Sequence, residues 1–152
     1  MSKKIINGIT IGLMIVGLTQ SLVASEANKE ESLATVQHNY RMIGTMNNPD
    51  KEIQLAAVKQ NYRAIRYIKN PGKEAQVAAV NQNYHAIEYI ENPHEEAQLA
   101  AVNQNFYAIQ YIENPTKAVQ LAAVKQSHYA IRYIKNPDVE AIKIAQVQMI
   151  KK

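Results

Sequence analysis

Cysteine is missing from this chain of 152 residues, so neither a disulfide nor a thiolate metal site can hold its fold. Tryptophan is missing as well, phenylalanine occurs once, and the nine tyrosines supply nearly all the aromatic surface. Glycine is scarce, at five residues. Alanine, isoleucine, glutamine and asparagine are abundant instead, a balance that suits helices joined by tight turns better than a sheet. The length is that of one small domain, and its stability must come from packing. A strong charge of one sign is lacking too. Without Lys3 and Lys4 in the leading segment, fifteen basic residues face thirteen acidic ones, leaving +2. That balance argues against nucleic acid as a partner, since a binder of phosphate backbones needs clustered positive charge.

One long hydrophobic run is present, and it reads as an export signal over residues 1–25. Lys3 and Lys4 are its positive head, Ile5 to Leu18 its apolar stretch, and Ser21 to Ser25 a region of small residues. Cleavage is expected after Ser25, with Val23 at the third position back. The other reading is an uncleaved membrane anchor. The run is shorter than the ~20 residues a bilayer span needs, which favours cleavage and no membrane contact thereafter. No cysteine follows the apolar stretch, so a lipid-modified terminus is excluded. An exported chain without cysteines fits a periplasmic or secreted protein.

From Asn48 the chain divides into four units of 22 residues, Asn48–Lys69, Asn70–Glu91, Asn92–Glu113 and Asn114–Lys135. A degenerate unit, residues 26–47, precedes them as an N-terminal cap, and residues 136–152 follow as a C-terminal cap. Self-similarity at this period marks a stacked-repeat protein. Each unit reads as helix, break, helix. Leu55 and Val58 with Ala56 and Ala57 give the first half an apolar face of small residues, and Tyr62, Ile65 and Ile68 share one face of the second. Gln60–Asn61 lies between, with Asn suited to a left-handed turn that ends a helix. The rival reading is one continuous helix from Asp50 to Ile68. Identity at 22 rather than 44 residues favours a unit that completes its own path up and back. The Asn-Pro pairs are expected to close one helix and open the next, with Asn as the cap and Pro in the first helical position. In the end units, polar residues stand where a further repeat is missing. Thr35 takes the place of the second Ala of "LAAV" and Gly44–Thr45 that of Arg66–Tyr67; "IAQV", Ile144 to Val147, puts Gln146 at the second Ala. The expected fold is all-α, a right-handed α-solenoid of 22-residue helix-turn-helix repeats.

The phrase "EIQLAAVKQNYRAIRYIKNP", Glu52 to Pro71, resembles a short helical-repeat family of bacteria and viruses whose function is unknown, with usual wording close to "VQLAAVKQNGYAIQYIKNP". Its design is similar to the leucine-rich-repeat-variant solenoids. The resemblance covers Asn48 to about Asp138 and implies a solenoid without implying an activity. The chain departs from it after Gln-Asn, where Tyr62, Tyr84, Phe106 and His128 replace the usual glycine.

Stacking turns sequence positions into columns. Gln54, Gln76, Gln98 and Gln120 form one, Gln60, Gln82, Gln104 and Gln126 another, and Asn61, Asn83, Asn105 and Ser127 a third. Ladders of amides serving the backbone between units are the expected use. Tyr67, Tyr89, Tyr111 and Tyr133 are expected to pack between repeats with their hydroxyls at the water edge. The four units carry +3, −2, −3 and +4. Arg66, Glu88, Gln110 and Arg132 in one column, and Lys69, Glu91, Glu113 and Lys135 in another, are expected to pair across neighbours. A sharper reading is a surface with an acidic centre and basic ends that selects a complementary partner.

Nothing in the sequence forms a catalytic motif, a phosphate loop or a zinc-binding helix. His38, His85, His94 and His128 show no metal-ligand spacing. The chain is therefore expected not to be an enzyme and to use no cofactor or metal. Its expected role is to bind a protein or peptide through outward residues that vary between repeats: Arg63, Arg66, His85, Glu88, Tyr107, Gln110, Tyr129 and Arg132. The alternative is a structural or envelope-associated spacer without a specific partner.

Overall fold

A computed structural model describes residues 25–151. Residues 1–24, the greater part of the expected export signal, lie outside the described residues. Every element of residues 25–151 is helical. A first helix, α1, occupies 25–38. Five further α-helices follow: α2 (Lys51–Gln60), α3 (Lys73–Gln82), α4 (Glu95–Gln104), α5 (Lys117–Gln126) and α6 (Val139–Ile150). Between them lie five 3₁₀ helices of six residues each: η1 (Tyr40–Thr45), η2 (Tyr62–Tyr67), η3 (Tyr84–Tyr89), η4 (Phe106–Tyr111) and η5 (His128–Tyr133).

The break between the two halves of a unit is extended backbone. Asn61, Asn83, Asn105 and Ser127 have φ from −156° to −161° and ψ from 122° to 128°. A continuous helix is excluded, and so is the left-handed turn expected at these asparagines. Asn61 instead caps the 3₁₀ helix, its Oδ1 accepting the Arg63 N–H at 2.9 Å, and Asn83 and Asn105 do the same for His85 and Tyr107. The preceding glutamine is thereby the last residue of its α-helix, and the asparagine the first cap of the next.

The Asn-Pro pair also works otherwise than expected. The residue that caps each α-helix is the one after proline: Asp50, Gly72, His94, Thr116 and Asp138. Asp50 Oδ1 accepts the N–H groups of Glu52 and Ile53 at 3.0 Å. Proline stays outside the helix, and in the four full units its carbonyl accepts the side-chain amide of Gln54, Gln76, Gln98 or Gln120 of the same unit, at 2.8–3.1 Å. Only Asn48 among the described residues other than glycine is left-handed, at φ 53°, where the degenerate first unit joins the first full one.

Packing runs strictly between neighbours. α2 packs on α3, α3 on α4, α4 on α5 and α5 on α6, while each 3₁₀ helix touches its own α-helix, the next one and the adjacent 3₁₀ helices. None of these elements touches one two units away. The core is a set of columns. Ala57, Ala79, Ala101 and Ala123 are fully buried, as are Val58, Val80, Val102 and Val124, and Ala64, Ala86, Ala108 and Ala130. The small columns let helix axes approach, and each buried Ile65, Ile87 or Ile109 beside them contributes roughly 2–3 kcal/mol.

The columns end where α6 lacks a 3₁₀ partner, so Ile131 is only half-buried where Ile65, Ile87 and Ile109 are closed off. The last unit keeps the 22-residue register, which shifts its cap by one position from the expected reading. Ala145, buried, stands where Ala123 stands, and the exposed Gln146 replaces Val124. The polar substitution is real, but Val147, Met149 and Ile150 beside it are exposed as well.

Candidate interaction surface

Two amide ladders hold the units together, and they run in opposite directions. In the first, Gln54 Nε2 donates to Pro49 O at 2.9 Å while its Oε1 accepts the Gly72 N–H of the next unit at 2.8 Å. Gln76 does the same to Pro71 and His94, and Gln120 to Pro115 and Asp138. In the second, each glutamine at a helix C-terminus reaches back. Gln82 Nε2 donates to Val58 O at 2.7 Å and Gln104 Nε2 to Val80 O at 2.6 Å. Gln60, Gln126 and Gln148 bond the carbonyls of Gln37, Asn103 and Lys125 in the same way. Carbonyls at a helix C-terminus have no intrahelical donor, so this column satisfies groups that the helices themselves leave open. The expected ladders are present.

The eight residues predicted to carry contacts all belong to the 3₁₀ helices. Arg63, Arg66, His85, Glu88, Tyr107, Gln110, Tyr129 and Arg132 occupy the second and fifth positions of η2 to η5, and every one is exposed. In a 3₁₀ helix residues three apart eclipse one another. Each unit therefore presents its pair as one stack, above the buried Ala-Ile pair at the third and fourth positions. The structure brings all eight onto one face.

Aromatic and cationic groups continue across this face. The second residue stacks on the first in each unit: Arg63 over Tyr62, His85 on Tyr84 at 4.1 Å, Tyr107 on Phe106 at 4.2 Å and Tyr129 on His128 at 4.1 Å. Contacts then step to the next unit. The Arg66 guanidinium lies 4.6 Å from the Tyr89 ring centre, His85 lies 6.2 Å from Tyr111, and Tyr107 meets Tyr133 edge-on at 5.6 Å. Tyr67, Tyr89 and Tyr133 are exposed and Tyr111 half-buried, so the tyrosine column lies further into water than packing between repeats implies.

The ion pairs lie elsewhere than expected. Among the described residues, none joins Arg66, Glu88 and Arg132, or Lys69, Glu91, Glu113 and Lys135, to an opposite charge. Pairs form at the first turns of the α-helices instead: Lys29 with Glu52, Lys73 with Glu96 at 2.5 Å and Lys117 with Glu140 at 2.9 Å. Their partners are 23 residues apart, a spacing the column reading passed over. The carboxylates hold the protons of Lys29, Lys73 and Lys117 more tightly than an isolated lysine does. Lys51 and Glu74 have the same spacing but form no pair, and at the next interruption both partners change. Glu95 replaces the lysine and Ala118 the glutamate, and Glu95 accepts the Thr116 hydroxyl at 2.6 Å.

A second feature was not foreseen. Notches of about 300, 400 and 170 Å³ open along the Asn-Pro edge between successive units, beside the exposed face. His38, His85 and His94 are exposed and His128 is buried. No group of three or more metal-ligating side chains converges among the described residues. None of their helices is long and apolar enough to cross a membrane. No family model matches the chain, and neither a curated protein nor a solved structure is significantly similar to it.

Proposed function

We propose that the protein is a right-handed α-solenoid, a non-enzymatic scaffold that binds a protein or peptide partner through its 3₁₀ face after export to the periplasm or beyond. What supports the solenoid is the neighbour-only packing of identical units. What supports export is the charged head and apolar stretch of the leading segment. The observation that carries the binding reading is the contrast within each six-residue 3₁₀ helix. Positions three and four are Ala-Ile in every full unit, whereas positions two and five vary in charge and shape and are all exposed. A framework that is constant inside and variable outside separates stability from specificity. The variation also gives the face basic ends at Arg66 and Arg132 and an acid at Glu88, which suits a partner of alternating charge.

The test is replacement of Arg66, Glu88 and Arg132 together by Ala. These residues are exposed and form no ion pair among the described residues, so the helical far-UV spectrum is expected to persist. Partners captured by the unaltered chain from the native host are expected to be lost. Retention of all of them by a folded triple variant refutes the face.

A further inference from the structure

The first glutamine ladder has one gap. Gln54, Gln76 and Gln120 each give the amide oxygen to a cap N–H of the following unit. Gln98 keeps the other half of the pattern, its Nε2 donating to Pro93 O at 2.8 Å, but its buried Oε1 has no donor. Opposite it, Thr116 turns its hydroxyl to Glu95. An acceptor shut away from water without a donor is costly, by about 1–3 kcal/mol in general, and native proteins seldom leave one. Gln98, only 7% exposed, lines the notch of about 170 Å³ between the third and fourth of the Asn-Pro junctions, together with Glu91 and Glu113.

This notch is rich in acceptors. Glu91 and Glu113 are exposed carboxylates, and neither has a lysine or arginine within ion-pair distance among the described residues. The lining holds these two carboxylates and no lysine or arginine, so the local field favours positive charge. The preceding notch is different in kind, since Arg66 and Lys69 line it beside Glu91. The set lacks the three converging acidic or histidine ligands that a metal ion needs. What it suits is a flat cation bearing several N–H donors. A guanidinium offers five in a fixed plane and is weakly hydrated, whereas an ammonium is compact and gives up water reluctantly.

We infer that the notch formed by Glu91, Glu113 and Gln98 receives the guanidinium of an arginine side chain from the protein partner. The inference rests on the binding function above for the source of the arginine, but the site itself can be examined without any partner. N-acetylarginine methylamide, the matching lysine compound and the neutral citrulline isostere are titrated separately into the ¹⁵N-labelled chain at constant ionic strength. The arginine compound is expected to give a saturable shift centred on the Gln98 side-chain amide and the Thr116 N–H. The lysine compound should bind about fivefold more weakly and citrulline not at all. The double variant Glu91→Gln/Glu113→Gln, altered only at exposed positions, should lose the arginine response while keeping the spectrum of the folded chain. Equal responses to arginine and citrulline, equal affinities for arginine and lysine, or an unchanged response in the double variant each overturn the assignment. A negative result here with partner capture still sensitive to Arg66, Glu88 and Arg132 removes the notch and leaves the 3₁₀ face standing; the reverse outcome removes the face and leaves the notch.

Discussion

A buried glutamine stabilises a fold only if both ends of its amide are used, because each unpaired polar atom away from water costs what it would have gained there. Gln76 uses both, with the Pro71 carbonyl at one end and the His94 N–H at the other. Gln98 uses one. The two sites therefore give a matched comparison in otherwise similar surroundings. Replacing Gln76 by Leu strands a carbonyl and an N–H, and is expected to lower the unfolding free energy by about 2–3 kcal/mol. Replacing Gln98 by Leu strands only the Pro93 carbonyl and also removes an unpaired oxygen, so a loss about 1 kcal/mol smaller is expected. Urea denaturation of the two variants measures the difference, and equal losses would mean that Gln98 Oε1 has a partner after all. At this scale the sequence was largely legible. A residue type recurring every 22 positions with an amide side chain has few uses other than a ladder, and that use is found. The exception at Gln98 was invisible because the residue itself is unchanged. Thr116 opposite has the same backbone N–H that serves the other three glutamines, so no residue type marks the gap.

Among the elements, the breaks were legible and the helix type was not. Tyr62, Ile65 and Ile68 are spaced by three and three, which is the period of a 3₁₀ helix, but over so short a segment the same residues also fit an α-helical face. The caps were misplaced for a different reason. Proline in the first helical turn is a sound local preference, yet here the residue after it takes the cap in all five junctions. In four of them a glutamine five residues on bonds the proline carbonyl; before α6, where that position is Ile142, proline stays outside all the same. The start of α6 shows what such a cap does. Asp138 accepts the Glu140 N–H at 2.8 Å and lies 3.4 Å from Lys117, and the backbone bond first, then the lysine, keep its carboxyl below the ordinary value near 3.8. A depressed carboxyl contributes stability above its unfolded pKa and loses it as pH falls through the folded one. Lys117, raised above the ordinary 10.5 by Glu140 and Asp138, contributes below that value and loses it as pH rises through the folded pKa. Amide exchange in α6 is accordingly expected to accelerate relative to α3 below about pH 3.8, whereas above about pH 10.5 the two change together, because Glu96 raises Lys73 of α3 as Glu140 raises Lys117. Lys117 is exposed and Asp138 only half-buried, so the effect is small and shrinks with added salt. A ratio that drifts steadily across neutral pH would exclude the paired cap as its cause.

For the whole molecule, contacts that join only consecutive units make each junction a separate decision about which unit follows which. Most apolar columns cannot make it, since Ala57, Val58, Ala64 and their counterparts recur unchanged, but the buried column of Ile53, Ala75, Ala97, Val119 and Ala141 varies and can. The first-turn charges contribute as well. A residue in one unit faces the residue 23 positions later: Lys29 meets Glu52, Lys73 meets Glu96 and Lys117 meets Glu140. Two junctions lack the pair: Lys51 and Glu74 keep the residue types without forming one, and Glu95 faces Ala118, which removes the carboxylate that would repel it. Restoring that carboxylate tests the rule. Ala118→Glu is expected to destabilise the chain by up to about 1 kcal/mol, the scale of an exposed like-charge contact. Alanine is the better helix former of the two, so part of that loss is helix propensity, which the double variant below separates from the charge contact. Adding Glu95→Lys should recover the loss by recreating the pair seen between Lys73 and Glu96, although it also removes the acceptor of the Thr116 hydroxyl. Denaturation midpoints of the two single variants and the double variant form a cycle whose coupling term isolates the cross-unit interaction from these separate costs. A favourable coupling means that charge at 23-residue spacing helps decide which unit follows which. A coupling of zero would assign that choice to the varied core column and to chain connectivity, and leave the Lys–Glu pairs without a part in it.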